Sequence, residues 1–480
     1  MSDPNHNQNR APMATSEKGP LAESEVEEVL KRAVELHKAG QLREAEQLYN
    51  NVIAREPRQA TAIHLLGLIA HQTGHNESAV DLISKALSIT PEMAAAENNL
   101  GLSLRDLGRL EEACQSYQRA IILSPDYGTA HYNKGIALSE LGCLEEAVIS
   151  YQTAARLEPN NADTHLNLGN TYRELKKPED AVRSYQSALA IQPNNEVAQI
   201  NLGMLFQEMG QLKRALSVFE TSSAKLAFYH RLRCLIACGE YDLFFELIES
   251  NMETCRTDLA TAAISTFFSH QLGRANPHPF CKNPLDFVRV YENLGEVRDG
   301  NIVPDMSAYA QTLNAVWEPL GKTTKSGFQT RDNIFEKPDG PMESLQRILR
   351  RKIAEYHDEF QGEECDFIAQ FPKDGVLNGW VVRLVAGGHQ TEHIHADGWL
   401  SGVFYLQVPQ VVDREEGSIE LGYCGHEYPV LDETYPKRRY YPEAGTLILF
   451  PSSLFHATIP FHSQEERVSV AFDFLPSQAH

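Results

Sequence analysis

The first half of the chain repeats with a period of 34 residues. A proline, an alanine and a glycine each keep this spacing, and all three share one register. The positions are Pro57, Pro91, Pro125, Pro159 and Pro193; Ala45, Ala79, Ala113, Ala147, Ala181 and Ala215; and Gly67, Gly101, Gly135, Gly169 and Gly203. Three independent residue types in one register exclude chance, so this half must be an array of similar units rather than one globular core.

Each unit has the residues of a helical hairpin, as the segment NNLGLSLRDLGRLEEACQSYQRAIILSPD shows. Gly101 in the first helix and Ala113 in the second are small enough for the two helices to pack closely. Gly108 lies in the turn between them, and Pro125 ends the second helix. One hairpin cannot bury its apolar face alone, so neighbouring units must stack on one another.

This period and pattern resemble the tetratricopeptide repeat. The resemblance covers residues 26–227 in six units and implies an all-α solenoid that binds a protein or a peptide. Residues 1–25 contain few large apolar side chains, and we expect them to form a disordered tail. The sixth unit has Ala227 in place of the terminal proline, which marks the passage into a different helical region.

An asparagine recurs at one site in the first helix of successive units, at Asn99, Asn133, Asn167 and Asn201. In similar repeats this site faces the concave groove, where the amide can bind a peptide backbone through two hydrogen bonds. The alternative is that the asparagines only form hydrogen bonds between repeats. The sequence favours neither interpretation.

Composition limits the classes of partner. The formal net charge of −22 argues against nucleic acid, because phosphate binding needs a basic surface. No apolar run is long enough to span a membrane, and no signal-peptide core follows Met1. The eight cysteines are scattered without a CxxC pair, which favours reduced thiols. We therefore expect a cytoplasmic protein that acts without nucleic acid or membrane.

The pattern changes towards the C-terminus. Residues 228–299 are typical of further helices and are predicted to join the array to the C-terminal domain. Residues 300–480 contain one predicted helix, 343–360, and then short alternating segments bounded by glycine and proline: WVVRLVA, SGVFYLQV, GSIELGY, GTLILF and RVSVAFDF. Strands at this spacing predict an α+β domain built on an antiparallel double-stranded β-helix, or jelly roll.

The stretch TEHIHADGWLSGVFY, residues 391–405, carries metal-binding side chains at alternate positions. Side chains two apart share a face of an extended segment, so we expect His393, His395 and Asp397 to point the same way. A His-x-Asp pair needs a second histidine to form the triad of non-haem Fe(II) oxygenases. His456, which comes after the apolar segment GTLILF and a turn, is the candidate.

Arg467 and Ser469 occupy successive same-face positions in the last predicted strand. A buried arginine with a hydroxyl beside it suits a dicarboxylate, because the guanidinium binds a carboxylate through two hydrogen bonds and the hydroxyl adds one. Tyr405 is a further candidate donor to such a ligand, and it is equally compatible with core packing. An ion pair between Arg467 and a neighbouring acid is the alternative.

The order of His-x-Asp, distant histidine and Arg-x-Ser resembles the 2-oxoglutarate-dependent Fe(II) oxygenases. HIHADGWLSGVFYL, FPSSLFH and TTKSGFQTRDNIF are similar to a bacterial-type oxygenase family often joined to tetratricopeptide repeats, over residues 300–476. The resemblance implies Fe(II) on His395, Asp397 and His456, with 2-oxoglutarate chelating the iron and its distal carboxylate on Arg467 and Ser469. That family shares the His-x-His more dependably than the acid, so His393 is the alternative third ligand.

The resemblance also implies an activity. The expected protein is a dioxygenase that hydroxylates a polypeptide side chain recruited by the repeat array. Hydroxylation of a small molecule, with the repeats serving assembly, is one alternative. A non-catalytic tetratricopeptide scaffold is a second. The sequence does not fix the metal, and for a zinc hydrolase no separate general base stands out.

Overall fold

The computed structural model of the protein describes residues 23–292, 294, 301–319, 321–425 and 428–477. The chain divides into two compact units, residues 1–222 and 223–480. Residues 1–22 of the predicted tail lie outside the described residues. The first helix begins at Glu23, so residues 23–25 are helical. The helices that we assigned to a junction belong to the same compact unit as the strands of the C-terminal domain.

Twelve helices make up the described part of the first unit, and consecutive helices pack against each other. Each pair of helices corresponds to one predicted repeat, so the expected all-α solenoid is confirmed. The helices are α1 Glu23–Lys38, α2 Leu42–Arg55, α3 Ala60–Gln72, α4 Asn76–Ile89, α5 Ala94–Asp106, α6 Leu110–Leu123, α7 Gly128–Glu140, α8 Leu144–Leu157, α9 Ala162–Glu174, α10 Pro178–Ile191, α11 Glu196–Glu208 and α12 Leu212–Phe219.

The periodic glycines allow the two helices of a hairpin to come close together. A Cβ atom added to Gly101 would lie 2.5 Å from Cε1 of Tyr117, and one added to Gly169 would lie 2.6 Å from the ring of Tyr185. Both tyrosine rings and Ala113 are completely buried. These two repeats therefore need a residue without a side chain opposite the aromatic ring.

The turns inside the hairpins use a left-handed backbone conformation. Glycine occupies this position in five of the six repeats, at Gly40, Gly74, Gly108, Gly142 and Gly210, with φ between 71° and 80°. The fifth repeat has Lys176 there, at a φ of 56°. A residue with a Cβ atom is strained in this region, so this turn is less stable than its five counterparts.

We expect Lys176→Gly to raise the melting temperature of the protein. Removing the Cβ atom relieves about 1 kcal/mol of strain, and the greater backbone freedom of unfolded glycine offsets part of that gain. Circular dichroism during heating measures the shift. Gly142→Lys, which places a side chain in the equivalent turn, is the matched control and should lower the melting temperature. If both variants shifted the melting temperature equally and in the same direction, the turn at Lys176 would not be strained.

The second unit begins with helices and continues into mixed structure. Its described helices are α13 Lys225–Ala237, α14 Tyr241–Ser250, α15 Met252–Cys255, α16 Leu259–Gln271, α17 Ile302–Thr312, α18 Gly340–Phe360 and α19 Asp366–Ala369, with a 3₁₀ turn at Pro284–Phe287. The long helix α18 was predicted as 343–360 and starts three residues earlier. None of the described helices of the chain is long and apolar enough to cross a membrane.

Ten strands lie in the described part of this unit: β1 Arg289–Tyr291, β2 Ala315–Trp317, β3 Thr324–Thr330, β4 Val376–Gln390, β5 Leu400–Gln407, β6 Ile419–Gly422, β7 Lys437–Tyr440, β8 Leu447–Pro451, β9 Phe455–Thr458 and β10 Arg467–Leu475. They form a seven-stranded sheet in the order β1-β8-β5-β10-β4-β3-β2 and a three-stranded sheet in the order β7-β6-β9. Every pair is antiparallel. The predicted jelly roll is confirmed.

The two faces of the large sheet have different neighbours. Along β10, Val468, Val470, Phe472 and Phe474 belong to a hydrophobic core that includes Leu345 and Leu349 of α18. The intervening residues Arg467, Ser469, Ala471 and Asp473 therefore occupy the opposite face. That face bears the polar side chains of the candidate site, and the helices cover the other.

Candidate metal centre

Two segments of the second unit bring three histidines together. His393 and His456 form an isolated antiparallel bridge, in which the His393 amide donates to the His456 carbonyl at 3.1 Å and the reverse bond is 3.0 Å long. The amide of His395 donates to the carbonyl of Ser452 at 3.2 Å. Backbone hydrogen bonds thus fix all three histidines between the two sheets.

The three imidazoles are close enough to bind one metal ion. One nitrogen from each ring lies within 4.8 Å of the others. Ring centroids are 4.1 Å apart for His393 and His456, 5.1 Å for His393 and His395, and 4.9 Å for His395 and His456. The predicted distant histidine is therefore in the group.

Hydrogen bonds leave the same nitrogen of each ring available. Nδ1 of His393 faces the Thr391 carbonyl at 2.7 Å, and Nδ1 of His456 faces the Leu454 carbonyl at 3.4 Å. Nδ1 of His395 lies 2.5 Å from a carboxylate oxygen of Asp473. These oxygens accept a hydrogen bond from the protonated Nδ1, which leaves the Nε2 lone pair of each ring for a metal.

Burial keeps two of these rings neutral. Burial, with a smaller contribution from the neighbouring His395, lowers the pKa of His393 to about 4. Burial also lowers the pKa of His456 well below its usual value, with His393 and His395 contributing. A metal binds the neutral imidazole, so both rings are ready to ligate at neutral pH.

The structure places Asp397 outside this group. The extended conformation that we predicted through residue 397 is wrong past His395, because the chain turns at Ala396 and Asp397 and the Gly398 amide donates to the His395 carbonyl at 3.0 Å. Asp397 is exposed in this turn. The structure brings His393, the alternative ligand, to the position that we had given to Asp397.

Arg467 is buried in the same cavity with one donor unused. Its side chain is 1% exposed. Nε donates to the Gly417 carbonyl at 3.1 Å and Nη2 donates to the Tyr405 hydroxyl at 3.2 Å, while Nη1 has no hydrogen-bond partner. A buried cation that pairs with no carboxylate is costly, so this arrangement indicates a site for an anionic ligand.

The cavity that holds these groups is nearly closed. It is lined by Trp380, Gln390, His393, His395, Ser401, Gly402, Val403, Ile419, Phe450, His456, Thr458, Arg467 and Ala471. No acidic side chain is among these residues. The free volume is about 10 Å³, room for about one water molecule, so side chains must move before a larger ligand can enter.

The other predicted cosubstrate residues lie nearby. The Tyr405 hydroxyl contacts Arg467, and Ser469 is buried at the next same-face position of β10. Sequence reasoning missed Asp473 on the same face of that strand. Its signal was an acidic residue between Phe472 and Phe474, two and four positions further along the same face from Ala471 and Ser469.

The recurrent asparagines of the repeat array donate to the preceding repeat. The four pairs are Asn99 with His64, Asn133 with Asn98, Asn167 with Tyr132 and Asn201 with Asn170, at 2.9–3.1 Å. This geometry supports the inter-repeat interpretation for one donor of each amide. Asn170 and Asn201 also line a groove of about 680 Å³ in the same unit, so a binding role at Asn201 stays a prediction.

Protein-family models match part of each unit. Residues 378–473 match a family described as "Putative 2OG-Fe(II) oxygenase". Residues 30–94, 101–142, 139–176 and 162–195 match families described as TPR repeat or tetratricopeptide repeat. No curated protein matches the chain.

Several solved structures are similar to part of the chain, all with low overall superposition. YrrB, described as a TPR protein with an unusual peptide-binding site, is 26% identical, covers 35% of this chain and 88% of its own, and has a TM-score of 0.32. PilF of Pseudomonas aeruginosa is 20% identical, with coverages of 42% and 95% and a TM-score of 0.35. A tetratricopeptide repeat protein of Parabacteroides merdae is 19% identical, with coverages of 47% and 93% and a TM-score of 0.37.

The 34-residue period, the helix pairs, the jelly roll and the family matches agree. The chain contains tetratricopeptide repeats and a C-terminal domain that matches the family described as "Putative 2OG-Fe(II) oxygenase".

Proposed function

We propose that the protein is an Fe(II)- and 2-oxoglutarate-dependent dioxygenase that hydroxylates a polypeptide side chain. The observation that carries this proposal is the cavity in which three histidines and a buried arginine with an unused donor meet. The family match over residues 378–473 supports the same activity. The reaction would convert 2-oxoglutarate and oxygen to succinate and carbon dioxide while the substrate gains a hydroxyl group.

The donor set fits a divalent transition metal. Imidazole binds iron, zinc, copper and nickel, so the ligands alone do not select iron. Three histidines occupy three positions around an ion and leave others open for a cosubstrate. Because all three ligands are neutral imidazoles, they leave both charges of the ion uncompensated, and the doubly negative 2-oxoglutarate would balance them.

Arg467 would bind the far carboxylate of that cosubstrate. Its free Nη1 donor is buried in the cavity that the histidines line, so a carboxylate there would gain a charge-assisted hydrogen bond. The hydroxyl of Tyr405 accepts from Nη2 and holds the guanidinium in place. Its own proton is then available for the same carboxylate.

The small volume of the cavity requires an opening step. Trp380, Gln390, His393 and His395 are the partly buried members of the lining, whereas the remaining members are buried. These four side chains already reach solvent, so entry of the cosubstrate is expected on their side. When bound, iron would supply the activation of oxygen and the removal of a hydrogen atom from the substrate.

The repeat array supplies the proposed substrate. Stacked helical repeats form extended surfaces that bind polypeptides, and the matched tetratricopeptide families support a protein or peptide partner. Two modules in one chain raise the effective concentration of a bound segment at the cavity, so a weakly held peptide would still reach the metal.

Anaerobic titration of the apoprotein with Fe(II) and 2-oxoglutarate tests the proposal. We expect the visible charge-transfer absorption of the chelate to appear in the wild type at one equivalent of iron. Oxygen added with a substrate peptide should then consume the 2-oxoglutarate and form succinate. A folded, iron-loaded wild type that shows no such absorption would favour the non-catalytic scaffold.

A further inference from the structure

Among the three histidines, His395 alone has a charged partner. Its Nδ1 lies 2.5 Å from Oδ1 of Asp473, whereas Nδ1 of His393 and of His456 face backbone carbonyls. A carboxylate oxygen can only accept, so Nδ1 must carry the proton and Nε2 must be the free nitrogen. The contact fixes both the tautomer and the orientation of this ring.

The carboxylate itself is held by a hydrogen-bonded chain. Ser401 Oγ donates to Asp473 Oδ1 at 2.7 Å, and the hydroxyls of Ser401 and Ser452 are 2.8 Å apart. Because Ser401 has one proton and gives it to Asp473, Ser452 must donate to Ser401. Both serine side chains are almost completely buried.

The backbone leaves room for this carboxylate at one glycine. A Cβ atom added to Gly398 would lie 3.1 Å from Oδ1 of Asp473 and 2.7 Å from Oγ of Ser452. Gly398 comes directly after the turn that carries Asp397 away from the cavity. The local fold thus keeps Asp397 out of the cavity and leaves space for Asp473 beside His395.

We infer that Asp473 is a positioning residue that orients His395 and strengthens it as a metal ligand, an inference that rests on the metal centre of the proposed function. A carboxylate hydrogen-bonded to the far nitrogen makes an imidazole a better electron donor. The three-histidine set has no carboxylate ligand, and Asp473 places a negative charge one ring away from the ion. It supplies part of the charge that a directly bound aspartate would bring.

Titration of the metal-free full-length protein with Co(II), without 2-oxoglutarate, tests the inference. The readouts are the dissociation constant and the visible ligand-field spectrum of Co(II). We expect Asp473→Asn, which keeps the size of the side chain, to weaken Co(II) binding about 10- to 100-fold and to shift the spectrum. Ser401→Ala keeps the carboxylate but removes one hydrogen bond to it and the 3.2 Å contact between Ser401 Oγ and His395 Nδ1, and should weaken binding about fivefold.

The matched control is Asp366→Asn. The Asp366 side chain is 9% exposed, close to the 10% of Asp473, and it pairs with Arg256 instead of a histidine. Its replacement should lower the melting temperature and leave Co(II) affinity unchanged. If Asp473→Asn does not fold, Ser401→Ala still tests the positioning role, because a loss of Co(II) affinity is predicted for this variant even though it retains Asp473.

The possible results separate this inference from the proposed function. If Asp473→Asn folds and keeps the wild-type Co(II) affinity and spectrum, the positioning role is overturned while the oxygenase proposal stays intact. If Asp473→Asn does not fold, the same result in a folded Ser401→Ala has the same meaning. If Asp473→Asn weakens Co(II) binding but the wild type never forms the chelate of iron and 2-oxoglutarate, the positioning role is supported and 2-oxoglutarate is not the cosubstrate. A wild type that binds no Co(II) would overturn both.

Discussion

Arg467→Met should weaken 2-oxoglutarate binding strongly while leaving metal binding intact. Loss of a buried guanidinium that pairs with a ligand carboxylate reduces the binding free energy by roughly 2–5 kcal/mol, which is about 30-fold to several-thousand-fold in affinity. The variant loses the hydrogen bonds to Gly417 and Tyr405. It also removes a cation that the unliganded protein buries without an anion, so its melting temperature should change little.

Calorimetric titration of the manganese-loaded protein with 2-oxoglutarate under anaerobic conditions measures this effect. Arg383→Met is the matched control, because Arg383 lies on the neighbouring strand β4 and pairs with Glu466 rather than lining the cavity. It should keep wild-type cosubstrate affinity. Equal affinity in Arg467→Met and the wild type would show that Arg467 is a structural cation only.

His393→Ala should eliminate metal binding, and Asp397→Ala should leave it unchanged. Loss of a direct ligand exceeds the effect expected of an outer residue, so the affinity should fall by at least about 100-fold. His456→Ala should behave like His393→Ala. Asp397 is exposed in a turn and outside the group of three histidines, so its carboxylate has no ion to hold.

Competition for iron with a coloured chelator measures these affinities. His462→Ala serves as the control for loss of a histidine, since the His462 side chain is 85% exposed and pairs with Glu416. If instead Asp397→Ala releases the metal and His393→Ala retains it, the two-histidine, one-carboxylate set predicted from sequence is the correct one.

The repeat array was predictable from sequence because its constraints are local and recur. Gly101, Gly135, Gly169 and Gly203 each face a buried aromatic ring, and Gly67 faces Ile83, so the same requirement recurs at the same position in these five units. The role of the recurrent asparagines was less accessible. Their partners differ from repeat to repeat, from His64 to Tyr132, and only the stacked helices show which groups meet.

The types of side chain at the metal centre were predictable from sequence, but the identity of each ligand was less so. Alternation along an extended strand correctly paired His393 with His395, and it failed at Asp397. The dipeptide Asp397-Gly398 is itself a turn signal, and it outweighs the alternation here. Asp473 lies 78 residues from its partner His395, so their contact depends on the pairing of β10 with β5, which the sequence does not state.

The most direct test of the account is a crystal structure with Mn(II) and 2-oxoglutarate, grown without oxygen and measured for anomalous scattering from manganese. We expect one anomalous peak among the imidazoles of His393, His395 and His456. The cosubstrate should chelate that ion and extend its far carboxylate to the guanidinium of Arg467. A peak outside this group, coordination by Asp397 in place of His393, or a ligand carboxylate remote from Arg467 would contradict the account.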